Sequence, residues 1–154
     1  MHAIVRGSGF ALLALAALRP AWADDGLMVR SSKYPVAEAM DRLEVVIRQA
    51  GGTVHVRIDL KAAAQKGDSL RPHQVILFGR GGAIQPMLSA SSRSGIDFPQ
   101  KILIFEDTNG KTWVAYTKGE YVVQRHGISG DAGASRAASA INKTVGSFVD
   151  AIAD

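Results

Sequence analysis

Two spacings of apolar residues run along this chain, and each spacing names an element. Val36, Met40, Leu43, Val46 and Ile47 fall on the i, i+4, i+7 positions of one helical face. Pro35 stands ahead of them, where a missing N–H costs nothing, and Gly51-Gly52 follows, so a helix over 36–49 is predicted. "TVHVRIDL" (53–60) changes to strict alternation. Val54, Val56, Ile58 and Leu60 are expected on one strand face, with Thr53, His55, Arg57 and Asp59 on the other. "LMVRSS" (27–32) alternates too and reads as a first strand, while "QVILFGR" (74–80) is continuously apolar, as in a strand covered on both faces. "KILIFED" (101–107) and "TWVAYT" (112–117) flank Thr108-Asn109-Gly110-Lys111, whose Asn-Gly pair tolerates φ > 0 and predicts a hairpin.

Shorter helical stretches are expected at "KAAAQKG" (61–67), "AIQPMLSASS" (83–92) and "EYVVQRHG" (120–127). A terminal helix should carry Ala137, Ile141, Val145, Phe148 and Ile152 on one stripe. The fold class is therefore α+β: a two-layer sandwich of β-α-β4-α order, mainly antiparallel, with helices on one face. Strands three to five are apolar on both sides, Ile76 and Phe78 against Val75 and Leu77, and Ile102 and Ile104 against Leu103 and Phe105. Helices can shield only one side. The exposed remainder points to a homodimer formed through the sheet.

The N-terminus changes where this domain is expected to start. "MHAIVR", an apolar run from Gly9 to Leu18, and Ala21 and Ala23 at the −3 and −1 slots match a secretory signal peptide. Residues 1–23 are read as that peptide, cut after Ala23, and 24–154 as a single domain of a periplasmic or secreted protein. Ten apolar residues fall far short of the roughly 20 a spanning helix needs, so no membrane span is expected. Dropping Arg6 and Arg19 from the 18 basic residues leaves an excess of only two over 14 acidic ones. The basic residues form no run and no aromatic interleaving, which argues against nucleic-acid binding. The chain has no cysteine, which excludes thiolate zinc sites, iron–sulfur clusters, cysteine nucleophiles and covalent c-type haem.

The glycines of "FGRGGA" (78–83) invite a phosphate-loop reading, but Ile84 fills the slot of a third glycine and no Lys-Ser or Lys-Thr follows. Gly79 is better read as a strand end needing φ > 0 or close approach. "LEVVIRQAGGTVHVRID", "RPHQVILFG" and "PQKILIFEDTNGKTWVAYTKGEYVVQRHGI" together resemble the family known as domain of unknown function 302, over about residues 38 to 129. The resemblance implies a compact α+β sandwich with one helix-covered sheet, often dimeric, and no particular activity. Members commonly carry Asp-His where this chain has Asp59-Leu60, and Gly-Asn-Pro where it has Gly79-Arg80-Gly81. Any role of that histidine is therefore not available here.

Candidate ligand contacts are Arg57 and Asp59 on one strand face, Arg71, Glu106 at the end of the fourth strand, Tyr116 and His126. Glu106 and Asp107 point to opposite faces, so they do not pair as acid and base, and Asp107 reads as a turn residue. His55, His73 and His126 show no metal-ligand spacing. No metal and no cofactor are predicted, and there is no Gly-x-Ser-x-Gly elbow. The sequence reads best as a non-enzymatic exported module that binds a small ligand or a protein as a homodimer. The alternative is a metal- or haem-binding protein, or a small hydrolase, using Glu106, Asp59 and a histidine.

Overall fold

The computed structural model describes residues 26–64 and 70–154; residues 1–23, read from the sequence as a signal peptide, lie outside them. Strands β1 (Leu27–Ser31), β2 (Thr53–Asp59), β3 (His73–Gly79), β4 (Gln100–Glu106) and β5 (Thr112–Thr117) form one sheet in the order β1-β5-β4-β3-β2. Every neighbouring pair is antiparallel. The helices are α1 (Val36–Gln49), α2 (Leu60–Ala63), α3 (Gln85–Ala90), α4 (Gly119–Arg125) and α5 (Ala132–Asp150), with a 3-10 turn at Ser92–Asp97. The predicted α+β sandwich is the fold.

Cross-strand register sorts the residues into two faces. Ile76, Phe78, Ile102, Ile104, Val114 and Tyr116 are buried on one face, under α1 and α5. From α1 come Met40, Leu43 and Ile47, and from α5 Ile141, Val145 and Phe148, whose ring meets Phe78 edge-on at 5.9 Å. α5 starts at Asp131, whose carboxylate accepts the Ala134 N–H at 2.7 Å, and stops at Asp150. Ile152 stays buried beyond the helix, because Ser32 Oγ donates to its carbonyl at 2.7 Å and ties the chain end alongside β1.

Among the described residues, neither α1 nor α5 packs on the opposite face. There Val29, Val75, Leu77, Leu103, Phe105 and Trp113 lie half-buried by their own neighbours, and Val56 and Ile58 remain 40% and 36% exposed. Apolar strands on both sides, helices on one: the expected open face is present.

Two local expectations need correction. The alternation in β2 is broken by a bulge at His55: Val54 pairs with Phe78 on the helix side, whereas Val56 and Ile58 pair with Leu77 and Val75 on the open side. Leu60 opens α2 rather than ending the strand. In the hairpin only Gly110 has positive φ, at 79°, and Asn109 does not. The Gly110 N–H donates to the Asp107 carbonyl at 3.1 Å, giving a turn closed by a left-handed glycine. Asp107 selects this form, since its Oδ1 accepts the N–H groups of Asn109 and Lys111 at 2.8 and 3.0 Å.

Candidate functional site

The bulge in β2 and the glycine stretch after β3 meet at one end of the sheet. Thr53 pairs with Gly79, so residues 53–55 and 79–80 run side by side. The His55 ring lies against Gly79 so closely that a Cβ there would sit 2.9 Å from Nε2. Gly79 is thus a close-approach glycine, and a bulge re-aims the one histidine it carries. Gly82, at φ 77°, turns the chain from β3 toward α3.

This corner is one wall of a cleft of about 900 Å³. The strand ends contribute Thr53, His55, Phe78, Gly79 and Gln100. The loop adds Arg80, Gly81, Gly82, Ala83 and Ile84; Leu88 of α3 and then Gly95, Phe98 and Pro99 follow. The far wall is α5, through Ala140, Ile141, Thr144 and Val145. Among the described residues no Asp or Glu lines the cleft, and the two ionisable side chains there, His55 and Arg80, are both basic. Its volume lies in the range of small-molecule sites, and its wall is mostly apolar with a few polar groups, as such sites are.

The six residues singled out from the sequence occupy four other places. Arg57 donates to Gln74 Oε1 at 3.0 and 2.7 Å and to Asp41 Oδ1 at 2.5 Å. Asp59 caps α2 by accepting the Ala62 N–H at 2.9 Å, and Gln74 Nε2 donates to it at 3.3 Å. Arg57 and Asp59 therefore share Gln74 rather than touching. Arg71 donates to Glu106 Oε1 at 2.9 Å and to the Thr108 carbonyl at 3.0 Å. Tyr116 lies in the core against α5, and burial, reinforced by the Asp150 carboxylate, pushes its hydroxyl pKa above 10.0, so it stays protonated at neutral pH.

His126, which ends α4, sits 2.6 Å from Asp97, a partner 29 residues away that also accepts from Arg125 at 2.7 Å. His73 stacks on Phe105 on the open face. None of the six lines the cleft. His55, His73 and His126 stand apart, and among the described residues no three His, Asp or Glu side chains come together as metal ligands. What the sequence did not single out is the cleft itself. The "FGRGG" turn was the only local signal for it, and the partner residues on α5 carried none.

The model of the family described as Domain of unknown function DUF302 matches residues 28–148. The chain belongs to this family. The fold of a DUF302 domain is also seen in the crystal structure of an uncharacterized conserved DUF302 protein from Bacillus stearothermophilus. That structure superposes with a TM-score of 0.67 at 17% identity, covering 83% of this chain and 98% of the other. Among curated proteins, this DUF302 chain is similar to fluoride-specific ion channel FluC 1 of Brucella suis biovar 1, at 32% identity over 111 residues. The match covers 70% of this chain and 44% of the channel protein. FluC 1 of Brucella abortus biovar 1 matches equally, over 41% of its length. The chain thus spans less than half of these relatives. No helix among its described residues is long and apolar enough to cross a membrane.

Proposed function

We propose that this DUF302 domain is an exported, non-enzymatic binding module that works as a homodimer through its open sheet face and holds a small ligand in the cleft. The open face carries the reading. Five strands about 4.8 Å apart and some six residues long at about 3.3 Å each give an outline of roughly 480 Å². Side-chain relief raises that toward the roughly 600 Å² per partner at which stable interfaces begin. An apolar sheet face of this kind suits a second sheet stacked on it at about 10 Å. Phe105 and Trp113 pair across β4 and β5 near one end of it, the kind of aromatic anchor interfaces favour.

The test is the mass in solution. The purified exported protein is expected to scatter light as twice its chain mass, and Leu103→Lys, in the middle of the open face, as one. A wild-type protein that stays monomeric at high concentration removes the reading.

A second reading rests on the curated relatives: the domain acts alongside a membrane ion channel as its extramembrane part. Unchanged fluoride sensitivity in cells lacking the protein would count against it.

A further inference from the structure

Resting on the reading of this domain as a ligand-binding module, we propose that the cleft takes a small amphipathic anion: an apolar body with one negatively charged end. The body is dictated by the walls. Phe78, Ile84, Leu88, Phe98, Ile141 and Val145 come from five separate segments and turn apolar surface onto one volume of about 900 Å³. A ligand without an apolar body would leave that surface wet and gain little from the site.

The charged end is dictated by what stands at the strand corner. Arg80 follows Gly79 directly, and His55 lies against Gly79. Among the described residues neither side chain has a hydrogen-bond or ion-pair partner. Arg30, Arg42, Arg48, Arg57, Arg71 and Arg125 each rest on a carboxylate, whereas Arg80, Arg93 and Arg136 do not, and of those three Arg80 lines the cleft. With no acidic side chain among the described residues of the cleft, a cationic ligand would meet only like charge there, while a carboxylate or phosphate would meet a guanidinium fork. Thr53, Gln100 and Thr144 supply polar contacts for the same end or for bridging water. The local devices agree. The bulge turns His55 to this corner, and Gly79 leaves room for its ring.

Calorimetric titration of the purified exported protein with decanoate, octyl phosphate, decanol and decyltrimethylammonium tests this, each probe kept below its micelle-forming concentration. Decanoate or octyl phosphate is expected to bind one per chain, at least about tenfold tighter than decanol or the cation. Whichever of the two anions binds names the charged end as carboxylate or phosphate. Arg80→Gln should weaken the anion about tenfold and leave decanol unaffected. Ala140→Trp, at an exposed position on the α5 wall, should abolish binding of every probe while the melting curve stays that of a folded protein. Decanol binding as tightly as the anions, or an Arg80→Gln variant without effect, overturns the anion assignment and leaves a ligand cleft standing. A folded dimer that binds none of the four probes removes the ligand cleft as well.

Discussion

Single glycines in this domain do different physical work, and the difference is measurable. A Cβ on Gly119 would sit 2.5 Å from the Ala138 carbonyl oxygen and 2.7 Å from its Cα, both of them backbone of α5. Gly119 also donates its N–H to Asn142 Oδ1 at 2.7 Å, so α4 is seated on α5 at this point. Helix backbone does not yield as a side chain does. Gly119→Ala should therefore cost stability at the upper end of the roughly 1–3 kcal/mol typical of overpacking. Gly81 is the control, because a Cβ there meets nothing within 4 Å and its φ is not in the left-handed region. Gly81→Ala should leave the urea midpoint unchanged or slightly raised, since alanine narrows the unfolded ensemble. Equal midpoints for the two variants would refute the close contact. Gly79 is intermediate: its neighbour is the far end of the His55 ring, so Gly79→Ala should displace the ring rather than unfold the chain.

At the level of elements, the β4–β5 hairpin is held by one carboxylate. Asp107 Oδ2 accepts from Trp113 Nε1 at 2.8 Å, and Oδ1 takes the two turn amides. The Trp113 bond, followed by that of the Lys111 amide, holds the Asp107 pKa below its usual 3.8. A carboxylate with a depressed folded pKa contributes stability above the unfolded value and loses it as pH falls through the folded one. Asp107→Asn should then be less stable than the wild type at neutral pH, with a gap that holds down to about pH 4–5 and closes below 3.8. Urea midpoints measured from pH 7 to pH 2 check this, and a gap indifferent to pH would refute it.

The hairpin also shows what the chain discloses about itself. α1 and β5 are legible residue for residue, because a Pro, paired glycines and an Asn-Gly turn punctuate them. The turn geometry is not, since it depends on where the Asp107 side chain finds amides. The bulge in β2 is not either. "VHVRID" alternates without a flaw, and the extra residue exists only relative to β3, so no property of one strand announces it.

For the whole molecule, the layer arrangement follows from local pattern while the cleft does not. An apolar strand next to a helix shows in a few consecutive residues, but the cleft joins Thr53 to Val145 and appears only when five segments meet. The open face belongs to the legible part, and a dimer formed through it would make stability a property of concentration. If two chains bury Leu77, Leu103, Phe105 and Trp113 against each other, unfolding one dimer releases two chains, and mass action couples the melting point to protein concentration. Each tenfold increase is worth about 1.4 kcal/mol per dimer, or roughly 3–5 °C for a cooperative unit of this size. Such an interface would be apolar, so added salt should leave that slope in place, whereas an ionic interface would be screened. Leu103→Lys should melt at one temperature whatever its concentration. Differential scanning calorimetry at two concentrations a decade apart decides it: a wild-type melting point that does not move would mean that the open face meets no second copy.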